Sequence, residues 1–255
     1  MERRRFANSL VRCYSPPVRG YTFRERSFLG RQEYGLNTYV QLPARYHSLV
    51  ASTPGSVLLQ TSRFDAENYR SYLFARPART LAPGRALFDE IEQALADGAY
   101  VAGFFAYECG ESLKEMGRGD LQNTNLPVAW FGVYPEAFVF DHRTGEFEGR
   151  PPDELMAEQA QPSQGFEIRN LRMGIPEKSY AQKVEAIQEY IRSGDTYQVN
   201  FTDTLHFDFS GSPEAMFAAL SESQPVPYSA FLHGENWHIL SLRPSCFFAC
   251  GSAGL

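Results

Sequence analysis

The apolar positions from about residue 55 onward alternate between strand-like and helix-like spacing. The run Val57–Leu59 is typical of a short buried strand. Apolar runs predict further strands over 101–107, 128–133 and 136–140, and residues 142–145 are typical of a hairpin turn that leads into Phe147. The first of these strands is apolar on both faces, which predicts cover on both sides. A helix over 86–96 is predicted by apolar residues at steps of four with a glycine after them: Leu87, Ile91, Leu95 and Gly98.

The second half of the chain repeats this alternation. Residues 197–209 alternate apolar and polar side chains, which predicts a strand with one face on a core. Ser212 as N-cap and Pro213 at the first helical position predict a helix through Leu220, and residues 228–242 are typical of a hairpin. A preceding helix is indicated by an apolar stripe and a glycine stop: Tyr180, Val184, Ile187, Ile191 and Gly194.

Helices separated by antiparallel hairpins predict an α+β fold rather than a doubly wound parallel sheet. Residues 1–47 are arginine-rich and lack the apolar core of a signal peptide, so we interpret them as a flexible extension or an over-long translation start. The polar, proline-bearing segment 150–175 is predicted to be a linker. It separates a first folded region, 48–149, from a second, 176–255.

Composition and charge argue against several classes of protein. The formal net charge of -6 and the pI near 5.5 give no basis for binding nucleic acid or an anionic membrane. No apolar run approaches the roughly 20 residues of a membrane helix. The four cysteines are too few for a disulfide framework, so we expect free thiols in a reducing cytoplasm. Cys246 and Cys250 lack the histidine or second cysteine pair that a metal site requires.

Generic catalytic motifs do not occur in the sequence. It has no phosphate-binding glycine loop, no dinucleotide fingerprint, no H-E-x-x-H and no G-x-S-x-G. Glu108 ends an apolar run, where it is either a buried carboxylate or a residue hydrogen-bonded to a turn. The residue pattern alone therefore predicts an α+β protein without a defined activity.

Several segments together resemble the chorismate-binding enzyme family. That family comprises anthranilate, aminodeoxychorismate, isochorismate and salicylate synthases. The motifs include GD-x-Y/F-Q-x-N/V, P-F/Y-S-A-F-L and L-L-E-S, and the versions here are closer to aminodeoxychorismate synthase component I. The resemblance spans about 48–245 and is carried by segments in the family's order: 57–62, 68–74, 103–108, 193–201, 227–232 and 239–242.

The resemblance implies an antiparallel two-sheet core flanked by helices, with the catalytic domain beginning near Pro176. It implies an amino-group transferase that converts chorismate to 4-amino-4-deoxychorismate for para-aminobenzoate and folate synthesis. Mg²⁺ would hold the substrate carboxylate, and a glutamine amidotransferase subunit (component II) would supply ammonia. Two alternatives stay open. One is anthranilate synthesis, and the other is a non-catalytic protein that binds a small aromatic ligand or the amidotransferase subunit.

The family's catalytic groups have no counterparts in this chain. The P-I-K-G-T lysine and the Mg²⁺-binding glutamates are not found, so no catalytic or metal-ligating residue is assigned. Ser245 stands where the family has a catalytic glutamate, and a serine does not titrate near neutral pH. We therefore expect a truncated chain that is inactive by itself. It is either the product of a frameshift near its end or a degenerate relative.

The resemblance also implies a pocket for tryptophan, bound as an inhibitor or as a structural ligand. Gln60 replaces the acidic residue of the L-L-E-S motif, which weakens any contact with the ammonium group of the ligand. The alternative is that the same residues only pack the interface between the two folded regions. Matched to the family motifs, the pocket residues are Thr61, Arg70, Ser71, Tyr72, Pro227, Tyr228 and Ser229.

Overall fold

The structure is a computed structural model that describes residues 39–65, 68–106, 109, 126–152 and 165–243. The helices within these residues are α1 (Arg45–Ser52), α2 (Leu87–Ala96), α3 (Glu177–Ser193) and α4 (Pro213–Ser223). The strands are β1 (Val57–Gln60), β2 (Arg70–Phe74), β3 (Arg79–Leu81), β4 (Tyr100–Phe105), β5 (Ala129–Tyr134), β6 (Phe138–Asp141), β7 (Glu146–Phe147), β8 (Phe166–Met173), β9 (Leu205–Gly211), β10 (Tyr228–His233) and β11 (His238–Arg243).

The described residues form two compact units. The larger unit joins the residues up to 166 with 211–243, and the smaller unit is 167–210. In the larger unit a six-stranded antiparallel sheet has the order β11-β10-β1-β2-β6-β7. Leu59 of β1 lies opposite Ala230 of β10 and Tyr72 of β2. The β10–β11 hairpin therefore lies in the same sheet as β1, the first strand of the described residues.

One face of the six-stranded sheet packs on α1 and α4. Its buried apolar residues include Leu58, Phe140 and Phe231, which meet Val50 of α1 and Phe217 of α4. Each such side chain, when fully buried, contributes about 1.5–3 kcal/mol through removal of apolar surface from water. These contacts hold both helices on the sheet although the helices are far apart in sequence.

The opposite face packs on a second antiparallel sheet, which has three strands in the order β3-β5-β4. Val57 and Leu232 of the larger sheet meet Ala102 and Tyr134 of the smaller one. The smaller sheet is covered in turn by α2 through Leu87, packed on its other face. Two antiparallel sheets flanked by helices confirm the fold class that the resemblance implied.

The prediction that the strand over 101–107 is covered on both sides was confirmed for its described part, but the cover is incomplete: Ala102 and Phe104 pack between the two sheets, and Val101 packs with the residues under α2. β4 ends the three-stranded sheet, and along it only Ala102 is buried, while Tyr100 and Phe105 are exposed. A strand at the end of a sheet has a neighbour on one side only, so its apolar side chains reach the rim.

The smaller unit pairs β8 with β9 and contains α3. The helix ends as predicted at Gly194, whose φ of 83° is the left-handed conformation that glycine tolerates best. The strand predicted over 197–209 begins only at Leu205, and its apolar face is exposed in this unit. The carboxylate of Asp203 accepts the backbone N–H groups of Ile175 and Thr204, and such local bonds compete with a strand ladder.

Other local predictions were confirmed. Residues 142–145 form the turn between β6 and β7. Ser212 caps α4 by accepting the Ala215 N–H at 3.0 Å, with Pro213 in the first turn. β8 lies within the segment 150–175 that we predicted as a linker, and the domain boundaries stay predictions. Within the described ranges, no helix is long and apolar enough to cross a membrane.

Candidate functional site

Thr61 is buried just beyond the end of β1 and joins three segments of the chain. Its hydroxyl oxygen lies 2.8 Å from the carbonyl oxygen of Arg70 and 2.9 Å from that of Pro227. The single hydroxyl proton is donated to one of these carbonyls at a time. The side chain therefore ties the start of β2 and the start of β10 to the end of β1.

Ser71 and His142 continue this hydrogen-bond network in one direction. The Thr61 N–H donates to Ser71 Oγ at 3.0 Å, Ser71 Oγ lies 2.6 Å from His142 Nε2, and His142 Nδ1 lies 2.7 Å from the Val40 carbonyl. A carbonyl only accepts, so Nδ1 carries the proton and Nε2 accepts from the Ser71 hydroxyl. Burial lowers the pKa of His142, which favours the neutral ring that this arrangement needs.

Gln60 and Ser229 hold the β1–β10 side of the network. The Ser229 hydroxyl donates to the Gln60 carbonyl at 2.8 Å. The Gln60 side-chain oxygen lies 2.6 Å from Nε2 of His47 on α1, so the ring donates there. Burial lowers the pKa of His47 as well. The Gln60 amide oxygen is thus engaged with α1.

Arg70, Tyr72 and Tyr228 share the other face of the sheet, because side chains alternate along β2 and β10 and Ser71 and Ser229 lie between them. Arg70 Nε donates to Glu148 Oε1 at 2.5 Å. The Tyr228 hydroxyl donates to the Asn68 side-chain oxygen. Tyr72 packs with the apolar residues between the two sheets, and burial raises its pKa.

The structure brings the predicted residues to one end of the six-stranded sheet. Thr61 contacts Ser71 and the backbone of Arg70 and Pro227, and Ser229 contacts the neighbouring Gln60. The hydroxyls of Thr61, Ser71 and Ser229 all bond within the protein. That the seven predicted pocket residues surround a ligand stays a prediction. Ser245 and Glu108 lie outside the described residues. His142 and His47 were missed, since nothing in their own neighbourhood in sequence indicates these partners.

A surface cleft of about 330 Å³ lies elsewhere, between residues 43–46 and 145–151. None of the seven predicted pocket residues lines it. It does not contribute to the candidate site.

The described part of the chain does not fit a Mg²⁺ site. Mg²⁺ prefers several oxygen ligands, chiefly carboxylates. No group of three or more histidine, cysteine, aspartate or glutamate side chains comes together there. Glu148 is paired with Arg70, and Asp141 with Arg143. No step of any reaction is therefore assigned to a metal held by these residues.

Two packed antiparallel sheets, with the family motifs in contact at one end of the larger sheet, are the features that indicate the class of this protein. The sequence profile of the chorismate binding enzyme family matches residues 52–253, and the chain belongs to this family. A solved structure, anthranilate synthase component I from Streptococcus pneumoniae TIGR4, aligns with a TM-score of 0.56 at 16% identity and covers 71% of this chain and 52% of that chain. At that identity the likeness shows the shared fold.

Relatives bear two different names. Aminodeoxychorismate synthase component 1 of Escherichia coli (strain K12) is 31% identical over 162 residues, which cover 59% of this chain and 35% of the relative. The protein of the same name from Bacillus subtilis (strain 168) is 24% identical over 163 residues, with 56% and 35% covered. Anthranilate synthase component 1 of Thermococcus kodakarensis is 26% identical over 165 residues, with 60% and 37% covered. The matched segment spans little more than a third of each relative.

Proposed function

We propose that the chain is a component 1-type protein of aminodeoxychorismate synthesis. The proposed reaction is the amination of chorismate to 4-amino-4-deoxychorismate in the cytoplasm, with ammonia from a glutamine amidotransferase subunit and with Mg²⁺. Support comes from relatives of that name at 24% to 31% identity and from the Tyr197–Asn200 and Ser229–Leu232 versions of the family motifs. Anthranilate synthesis is the second candidate, because relatives of that name match over a similar length.

Within this function, we assign the described residues to ligand binding rather than to bond making. The observation that carries this assignment is the Thr61 hydroxyl, which lies between the backbones of Arg70 and Pro227. It fixes three segments that the family resemblance places around an aromatic amino acid. His47 and His142 are buried, hydrogen-bonded inside the protein and depressed in pKa, which makes them unsuited to serve as general acids.

The ligand that suits this site is an L-tryptophan-type amino acid. Tyr72 and Tyr228 present aromatic rings on one face of the sheet, and the Arg70 guanidinium beside them is a donor suited to a carboxylate. Binding of the ligand carboxylate would compete with the Arg70–Glu148 pair, whose side chains are 31% and 43% exposed. Because that pair is partly solvated, its exchange for a ligand carboxylate costs little.

Calorimetric titration of the full chain with L-tryptophan tests the site. We expect saturable 1:1 binding that Tyr228→Ala weakens by at least about tenfold, which corresponds to about 1.4 kcal/mol. Tyr190→Ala is the matched control, because Tyr190 is an exposed tyrosine on α3 in the smaller unit. Equal affinities in the two variants, or no binding by the unaltered chain, would remove the site from the proposal.

Product analysis tests the reaction class separately. The chain is incubated with chorismate, ammonium and Mg²⁺, with and without the amidotransferase subunit and glutamine, and the products are separated by mass. Because Ser245 replaces the family's catalytic carboxylate, we expect no turnover by the chain alone above a protein-free control. Turnover to aminodeoxychorismate would refute the inactivity but support the reaction, whereas anthranilate would favour the second candidate.

A further inference from the structure

The ring of Tyr39 stacks on two aromatic side chains and is hydrogen-bonded at its polar end. It stacks on Phe64 with centroids 4.8 Å apart and an interplanar angle of 16°. It also stacks on His142, with centroids 4.7 Å apart and an interplanar angle of 10°. Its hydroxyl donates to the Thr61 carbonyl oxygen at 2.7 Å. Two nearly parallel walls and one acceptor therefore recognise a planar ring that carries a donor.

Tyr39 reaches this position from a short strap, residues 39–43, which has no regular secondary structure and leads into α1. The strap is bonded to His142 twice through Val40, whose N–H donates to the His142 carbonyl at 2.8 Å and whose carbonyl accepts from the ring. Val40 also lies against Gly145, where a Cβ would meet it at 2.9 Å. The Tyr39 ring is therefore held by its two aromatic neighbours and, through Val40, by the turn at residues 142–145.

We propose that the space between Phe64 and His142 is a binding slot for a small planar aromatic molecule with a hydrogen-bond donor, and that Tyr39 fills this slot in cis. A free phenol or indole competes with Tyr39 for the slot and releases the strap. This inference goes beyond the proposed function and does not rest on it, because neither chorismate nor its amination enters the argument.

The walls determine the chemical class of the ligand. The acceptor is a backbone carbonyl, so the ligand must bring a donor, and a carboxylate in that position is repelled. Burial raises the pKa of Tyr39, because a desolvated phenol is more stable in its neutral, protonated form. Flat rings that stack on both walls gain contacts that saturated molecules lack.

Competition with Tyr39 determines how tightly a free phenol binds the unaltered chain. A ring attached by a short strap has an effective concentration on the order of millimolar. A free phenol therefore binds the unaltered chain weakly. If Tyr39 leaves the slot open no more than about a tenth of the time, removal of its ring strengthens binding of the same phenol at least about tenfold.

The test is calorimetric titration of the full chain, unaltered and with Tyr39→Ala, using 4-methylphenol and, as a control without the hydroxyl, toluene. We expect 1:1 binding of 4-methylphenol that is at least about tenfold tighter to Tyr39→Ala than to the unaltered chain. Toluene, which lacks the hydroxyl, should bind Tyr39→Ala more weakly than 4-methylphenol does. Adding Phe64→Leu to Tyr39→Ala should abolish the gain. Equal affinity for the two chains, no binding to Tyr39→Ala, or a gain that survives Phe64→Leu would overturn the proposal.

A second measurement needs no variant that risks misfolding. Hydrogen exchange of the Val40 amide in the unaltered chain reports the bond to His142. Saturation with 4-methylphenol should accelerate this exchange, because the strap leaves when the slot is taken. An unchanged Val40 exchange rate at saturating 4-methylphenol contradicts competition in cis. Tyr39→Phe, which keeps the ring and loses the Thr61 bond, should accelerate exchange without ligand.

Discussion

Replacement of Ser71 by alanine should destabilise the larger unit far more than the loss of one hydroxyl usually does. Ser71 is 1% exposed and lies between two buried partners. Its oxygen accepts the Thr61 N–H at 3.0 Å and donates to His142 Nε2 at 2.6 Å. Ser71→Ala leaves both partners buried and unpaired, since water does not reach them.

The magnitude follows from these two groups. An unsatisfied buried donor or acceptor costs about 1–3 kcal/mol. Because Thr61 and His142 share one network, their costs do not add fully, so we expect Ser71→Ala to lower the free energy of unfolding by about 2–4 kcal/mol. The small cavity left by the oxygen adds little to this.

Urea unfolding at pH 7.5, followed by far-ultraviolet circular dichroism, measures the change. Ser223→Ala is the matched control, because the Ser223 hydroxyl donates to Leu220 in an exposed last turn of α4. The control should change stability by less than about 0.5 kcal/mol. The described network would be refuted if Ser71→Ala cost no more than Ser223→Ala, provided that the denaturant slope is unchanged.

Three further predictions concern stability. Burial lowers the folded-state pKa of His47 and His142, so the unfolded chain binds more protons than the folded chain below about pH 6.5. The free energy of unfolding should therefore be highest above about pH 6.5 and should fall as the pH drops below that value. Urea midpoints at several pH values would measure this. Ser212→Ala removes the N-cap of α4 and should cost about 1 kcal/mol. Phe231→Ala empties a fully buried site and should cost about 3–5 kcal/mol, both measured by urea unfolding.

Elements with local signals were predictable from the sequence. The α4 N-cap, the Gly194 stop and the β10–β11 hairpin depend on residues only a few positions apart. Contacts between distant residues had no such signal. The Ser71–His142 bond joins residues 71 positions apart, and His142 was interpreted only as part of a turn. The start of β9 was misplaced because Asp203 bonds to Ile175, 28 positions away.

The candidate site required a different kind of information. The Thr61 hydroxyl and the Pro227 carbonyl are separated by 166 positions, and periodicity does not predict their contact. The resemblance to the chorismate-binding family predicted a pocket built from these segments, and in the structure the segments contact one another. It did not predict that the Thr61, Ser71 and Ser229 hydroxyls bond within the protein, because their partners include backbone carbonyls and a histidine outside the motifs.

Pairing of β1 with β10 gathers the candidate site, and cysteine cross-linking tests its register directly. Leu59 and Ala230 lie opposite each other, so their Cα atoms are about 4.5–5.5 Å apart, within the range of about 4.4–6.8 Å that a disulfide spans. The control pairs Leu59→Cys with Ser241→Cys, since Ser241 lies opposite Ala230 on the next strand, about 9–10 Å from Leu59. Mild oxidation and peptide mapping should find the 59–230 disulfide in Leu59→Cys/Ala230→Cys and no 59–241 disulfide in the control. Failure of the 59–230 link to form, or equal cross-linking in both proteins, would contradict the pairing and the site built on it.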